Sequence, residues 1–289
     1  MACQAACWFV EDRRIYATVN LSTSVGLAGM RIVILPNPES VASFVATEFA
    51  AQVTAKSDSV LGLATGGTPV AAYGRLIELQ REKRICFKKV TTFNLDEYVG
   101  ISPDQPTSYR AFMQTHLFQH LDIPREQTYL PRGDAKDLEN ECHDYEKKIE
   151  RAGGIDIQLL GIGTDGHIGF NEPGSSLASR TRVKTLTEGT RRDNARFFSS
   201  IDDVPTTAIT MGIGTILSAK RILLIATGES KVEAIQASIE GPITCLVPAS
   251  ALQLHADVTV VIDEKSSTNL KHRAYYLRSE VERKKLRNE

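Results

Sequence analysis

One theme recurs along this chain: a short apolar run of strand type, a turn rich in Gly or Asp, then an amphipathic helical stretch. "RIVIL" (31–35) precedes "PESVASFVATEFAAQV", in which Val41, Phe44, Val45 and Phe49 fall near helical spacing. "SVLGLATGGTP" leads into "VAAYGRLIELQ", "KVTTFNLDEYVG" into "TSYRAFMQTHLFQHL", and "RILLIATG" into "ESKVEAIQASIEG". "GIDIQLLGIG" opens into a loop of unusual chemistry, and "DVTVVID" precedes a charged C-terminal helix. Strands that are apolar along their whole length need cover on both faces, and intervening helices provide it. The pattern therefore predicts an α/β fold with a doubly wound, mostly parallel sheet and helices on both faces. With no internal repeat, low-complexity tract or linker, residues 30–289 are read as a single domain.

Residues 1–29 stand apart. They lack a basic leader, and their short apolar stretch runs into Glu11 and Asp12, which argues against a signal peptide. "MRIVILPNP" then places a methionine directly before the first strand, so Met30 is expected to start the fold and the preceding piece to be a poorly ordered appendage.

Charge excludes several function classes. The 289-residue chain has a formal net charge of −1, which gives no electrostatic footprint of a nucleic-acid or membrane-surface partner. The basic runs "KRICFKK" and "VERKKLRN" read as solvated faces, and no apolar run is long enough to span a bilayer. The five cysteines (Cys3, Cys7, Cys86, Cys142, Cys245) include no CxxC pair, so a disulfide framework or zinc ribbon is not expected, and a reducing cytoplasm is.

In open α/β sheets ligands bind beyond the carboxyl ends of the strands, and three odd stretches lie there. "LATGGTP" (63–69) offers Gly66, Gly67 and Thr68 before a helix, where backbone can approach an anion; a plain tight turn would look the same. "FNLDEYVG" (93–100) puts Asp96 and Glu97 directly after a strand, and only one of two adjacent acids should face the site. "GIGTDGHIGFNEPG" (161–174) brings Asp165, His167 and Glu172 within eight positions. Carboxylates can fix an imidazole tautomer for acid–base work; the same three groups could also ligate a metal, although no familiar metal spacing is present. Two cations complete the set: Lys231, at a helix start after a strand, and Arg196, within a polar stretch (180–207) with the look of a mobile cover. His116 and His120 are four apart on an expected helix but lack the HExxH glutamate.

From Met30 to the C-terminal helix the chain resembles the glucosamine-6-phosphate deaminase (isomerising) family. The resemblance is carried by "LGLATGGTP", "FNLDEYVG", "GTDGHIGFNEPGSSLASRTRVKTL" and "NARFF", in that order. It implies a Rossmann-like sandwich and conversion of D-glucosamine 6-phosphate with water to D-fructose 6-phosphate and ammonium, without metal or cofactor. It assigns ring opening to His167 with Asp165 and Glu172, proton abstraction at C2 to Asp96, and phosphate binding to Gly66, Gly67, Thr68, Arg196 and Lys231. Homo-oligomers, hexameric or smaller, are common in the family. The related 6-phosphogluconolactonases lack an acid matching Glu172, and regulator effector domains of this fold usually carry a DNA-binding helix-turn-helix, for which residues 1–29 are too short. In regulated members N-acetylglucosamine 6-phosphate binds at a subunit interface, and Ser175, Arg182, Lys184 and Thr185 match its phosphate-binding set. Two features depart: an aromatic expected near Leu277 is missing there, although Tyr275 and Tyr276 lie close by, and the amine of Met30 is consumed in a peptide bond. Weak or absent activation of the 289-residue form is therefore expected.

Overall fold

A computed structural model describes residues 30–287, so the appendage expected at residues 1–29 lies outside the described residues. In chain order the elements are β1 (Arg31–Leu35), α1 (Pro38–Ala55), β2 (Val60–Leu63), α2 (Gly67–Arg81), β3 (Thr91–Asn94), β4 (Asp96–Tyr98), α3 (Tyr109–His116), β5 (Thr128–Tyr129), α4 (Leu138–Arg151), β6 (Ile157–Leu160), β7 (Arg182–Thr185), α5 (Glu188–Asn194), β8 (Thr207–Thr210), α6 (Ile213–Leu217), β9 (Ile222–Ala226), α7 (Val232–Glu240), β10 (Val258–Asp263) and α8 (Arg273–Arg287).

Seven strands form a parallel sheet in the order β1-β10-β9-β6-β2-β3-β5. β6, β9 and β10 are buried at every position, as strands that are apolar at most positions and covered on both faces should be. Helices supply the cover. Val41, Val45 and Phe49 of α1 are buried in the main core, and the helix starts where Asn37 accepts the Ser40 N–H at 2.9 Å, with Pro38 in the first turn. From β2 the chain proceeds outward to β3 and β5, then returns to lay β6 on the opposite side of β2. That reversal makes the carboxyl ends of β2 and β6 the switch point, where an open α/β sheet leaves a crevice.

A second sheet departs from the predicted single sheet: β4, β8 and β7 pair antiparallel, with Asp96 opposite Thr210 and Thr210 opposite Arg182. Residues 180–207, read as a cover, supply β7 as an edge strand of this sheet. It has its own small core of Tyr98, Ile101, Phe170, Leu186 and Ala208. Two helix boundaries also differ. α2 starts at Gly67 rather than after Pro69, because a first-turn proline lacks only an N–H that would be unpaired there anyway. The stretch read as one helix through Leu121 breaks after His116, and a 3-10 turn at Phe118–His120 follows; Leu117 and Phe118 are both buried there. Cys86, Cys142 and Cys245 are free thiols, and among the described residues no helix is long and apolar enough to cross a membrane.

Candidate active site

The loop after β6 is shaped by its glycines. Gly163 N–H donates to the His167 carbonyl at 2.9 Å, closing a tight turn in which Gly166 adopts φ +85°. The turn holds the His167 ring against Asp165, with Nδ1 2.7 Å from Oδ1, while the His167 N–H donates to the same oxygen at 3.1 Å. Glu172 approaches from the other side, its Oε2 3.8 Å from Nδ1. Glu172 is 2% exposed and its Oε1 accepts the Thr187 N–H at 3.0 Å, so a fixed carboxylate faces the ring from within the protein. Partial burial pushes the Asp165 carboxyl up, but the hydrogen bond and charge of His167 outweigh it and hold Asp165 below the usual carboxylate range. Ligand atoms of Asp165, His167 and Glu172 lie within 4.8 Å of one another, a grouping that can share a proton or converge on a cation.

Asp96 comes from a different strand to the same place. A β-carbon built on Gly169 would lie 3.3 Å from Asp96 Oδ2 and 2.9 Å from Thr210 Oγ1. Gly169 (φ +56°) thus lets the histidine loop close directly against this carboxylate. Burial, and then the charge of Glu97, push the Asp96 carboxyl well above the ordinary range. The neighbouring acid turns away, as alternation along a strand requires. Glu97 Oε1 accepts the Tyr98 and Tyr109 N–H groups at 2.9 and 3.0 Å, and Oε2 accepts the Arg110 N–H at 3.0 Å, capping α3 beside Ser108.

The expected phosphate ligands flank this centre. Gly66 (φ +96°) and Gly67 begin α2 without a side-chain cap, and nothing lies within 4 Å of a β-carbon built on either. Lys231 follows β9, on the other side of β6. Burial pushes its ammonium down; the Asp193 carboxylate opposes this, Arg196 adds to it and Asp165 opposes it, so Lys231, Arg196 and Asp165 share one field. Arg196 lies over the Phe197 ring, 4.8 Å from its centroid. A cleft of about 590 Å³ opens beside Thr164, Ser230 and Val232.

The second expected set is only partly brought together. Ser175 is buried behind Glu172, its Oγ without a partner, and Arg182 reaches Asn171 Oδ1 at 3.0 Å. Lys184 lies on the Arg182 face of β7, whereas alternation places Thr185 on the opposite, exposed face. His116 and His120 are on different elements and share no ligand geometry, because the helix ends between them.

Several contacts around these groups lay outside the sequence reading. Tyr109, partly buried and donating its hydroxyl to Tyr98 Oη at 3.3 Å, joins Tyr98, Phe170 and Phe198 in an aromatic wall. Asp263 accepts the Gly228 N–H at 3.1 Å and the Ser266 N–H at 2.9 Å, fixing the turn that carries Lys231. Its position at the carboxyl end of β10 was the one signal that could have found it. Asp193, close to Lys231 in charge, carried none.

The fold and this site define a class: an α/β protein with acid–base groups and cations gathered at the switch point of its sheet. The chain belongs to the glucosamine-6-phosphate isomerase/6-phosphogluconolactonase family, whose sequence profile matches residues 37–261. It is 56% identical to a glucosamine-6-phosphate deaminase of Shewanella halifaxensis over 89% of this chain and 98% of that protein. A deaminase of Cellvibrio japonicus is 54% identical over 89% and 98%. Among solved structures, a monomeric glucosamine-6-phosphate deaminase superposes with a TM-score of 0.81 at 51% identity, covering 83% of this chain and 99% of that one. The 6-phosphogluconolactonase of Trypanosoma cruzi shares the fold (TM-score 0.65, 21% identity, covering 83% and 97%).

Proposed function

We infer that this protein is an isomerising glucosamine-6-phosphate deaminase, taking D-glucosamine 6-phosphate and water to D-fructose 6-phosphate and ammonium. The observation that carries the reading is the closure of the His167 loop on Asp96 at Gly169, which sets a histidine relay beside a buried carboxylate. His167, oriented at Nδ1 by Asp165 and Glu172, moves the proton between O1 and O5 that opens the pyranose ring. Asp96 takes the C2 proton as the C1–C2 enolamine forms and returns it to C1. This leaves an iminium at C2; water adds there and ammonium departs. A carboxylate pushed up by burial is a stronger base than a solvated one, and it is shielded from water, as removal of a weakly acidic C2 proton requires.

Gly66, Gly67 and Thr68 offer backbone and hydroxyl to the phosphate, with Lys231 and Arg196 as counter-charges. No step needs a metal. Ser175, Arg182 and Lys184 are proposed as part of a regulatory phosphate site, with Thr185 on the other face of β7. A cytoplasmic homo-oligomer, hexameric or smaller, is the assembly proposed, and the three free thiols among the described residues are in keeping with a reducing compartment. Sedimentation decides between this and a monomer, the state named for the solved relative at 51% identity.

The function is tested by mixing purified protein with glucosamine 6-phosphate and measuring ammonium and fructose 6-phosphate, with 6-phosphogluconolactone as control. Equimolar appearance of the two products, and no lactone hydrolysis, is expected. Lactone hydrolysis without ammonium would reverse the assignment.

A further inference from the structure

Asn171 stands between the two groups to which the reaction is assigned, and its side chain carries out no step of it. It is 0% exposed, four residues after His167 and one before Glu172. Its Nδ2 donates to the Ile168 carbonyl and to the Met211 carbonyl, both at 2.8 Å. Its Oδ1 accepts Arg182 Nη1 at 3.0 Å. Met211 directly follows Thr210, the partner of Asp96 in the small sheet, and the Met211 N–H donates to the Leu95 carbonyl at 2.7 Å. One amide thus joins the carbonyl next to His167 to backbone that is itself bonded to the residue before Asp96. A second tie runs beside it, from the Phe170 N–H to Thr210 Oγ1 at 3.0 Å.

The chemistry of the position is narrow. Two carbonyls need two donors and the guanidinium needs an acceptor, which fixes the amide orientation. Aspartate offers no donor, serine and threonine offer one, and glutamine is a methylene longer. With both N–H groups spent on carbonyls, Asn171 has no proton to trade with a substrate. A buried amide satisfied in this way holds its neighbours rigidly.

We propose that Asn171 is a positioning residue that sets the distance between the His167 imidazole and the Asp96 carboxylate. The role rests on the reading of those two groups given above. Both must address one sugar, and a displacement of about 1 Å can cost roughly a hundredfold. Loss of the amide moves the histidine loop and leaves Asp96 in place, because β4 is held by its own pairing with β8.

Turnover of glucosamine 6-phosphate by Asn171→Asp, His167→Gln and the double variant tests it. Asn171→Asp keeps the size and the Arg182 contact but has no N–H for either carbonyl. It should lower kcat by about a hundredfold and leave KM unchanged, because the groups assigned to the phosphate lie on other loops. His167→Gln keeps the turnover that ring opening in solution supports. In that background Asn171→Asp should cost little more, since the imidazole it positions is gone. A group that merely holds the fold together would cost the same factor in both backgrounds. Asn171→Ser adds no buried charge, so it is measured in parallel and should show the same pattern even where the aspartate variant fails to fold. Unaltered kcat in the Asn171 variants, or a full second loss on top of His167→Gln, would overturn the proposal and leave His167 in its role. Wild-type turnover in His167→Gln would overturn the reading of His167, and the proposal with it.

Discussion

The imidazole of His167 occupies space that only a glycine leaves at position 163: a β-carbon built there would lie 2.2 Å from Cε1 and 2.3 Å from Nδ1 of the ring. Gly163→Ala should therefore push the ring off Asp165 and Glu172. Its turn conformation does not need a positive φ, so the backbone can accommodate alanine. Displacing a reacting group by about 1 Å can cost roughly a hundredfold, so kcat should fall by about that factor while the far-UV circular dichroism is retained. Wild-type turnover in the alanine variant would contradict the placement of His167 at the chemistry.

Asp96 and Glu97 are coupled through charge. Asp96 must be deprotonated to act as a base, and its proton affinity is raised first by burial and then by Glu97. Activity should thus rise with pH through the native Asp96 pKa, above the ordinary carboxylate range. Removing the Glu97 charge lowers that pKa, so the acid limb of kcat/KM in Glu97→Gln should move to lower pH. A pH profile of both proteins checks this; an unmoved limb would mean that Glu97 does not tune the base.

Lys231 and Arg196 are assigned to the substrate phosphate. Alanine at either should raise KM by roughly tenfold to a hundredfold, the cost of one charge-assisted contact. The loss should be far smaller for unphosphorylated glucosamine. Equal losses on the two sugars would contradict phosphate reading.

Chelation separates a proton relay from a metal centre at Asp165, His167 and Glu172. Activity is expected to survive exhaustive dialysis against EDTA. Loss that a divalent cation restores would convert the relay into a metal site.

Acid stability has a named source away from the site. Asp156 joins Lys56 Nζ (2.6 Å), Lys220 Nζ (2.7 Å) and the Val60 N–H (2.8 Å), tying the starts of β2 and β6. Burial pushes its carboxyl up, but Lys220, Lys56 and the Val60 N–H together hold it below the usual range. A depressed carboxylate pKa contributes stability that is full above the unfolded pKa and lost as pH falls through the native one. The lysines are partly exposed, so Asp156→Asn should cost only about 1–2 kcal/mol near neutrality, with the difference shrinking in acid. Thermal melts at two pH values measure it.

Strand periodicity made the parallel sheet legible, because β6, β9 and β10 are apolar at nearly every position and nothing else explains such runs. The small antiparallel sheet was hidden: β4 is three residues long, two of them acids, and β7 alternates charged with apolar or hydroxyl residues at an edge. The two-residue β5 carries no period at all. At the site, Asp165, His167 and Glu172 were legible because one loop holds all three. The meeting of that loop with Asp96 was not, since it depends on Gly169 touching a residue 73 positions earlier. That Glu97 caps α3 was not legible either, because it depends on where a helix twelve residues later begins.

The division of labour between His167 and Asp96 is tested most directly with glucosamine 6-phosphate deuterated at C2. The wild type should lose deuterium from C2 as ammonium forms, part of it carried by Asp96 to C1 and part released from Asp96 to solvent. Asp96→Asn, in which an amide keeps the shape but cannot accept the proton, should bind the substrate and release neither. Deuterium exchange at the wild-type rate in Asp96→Asn would contradict the account at its centre, because the C2 base would then be another group.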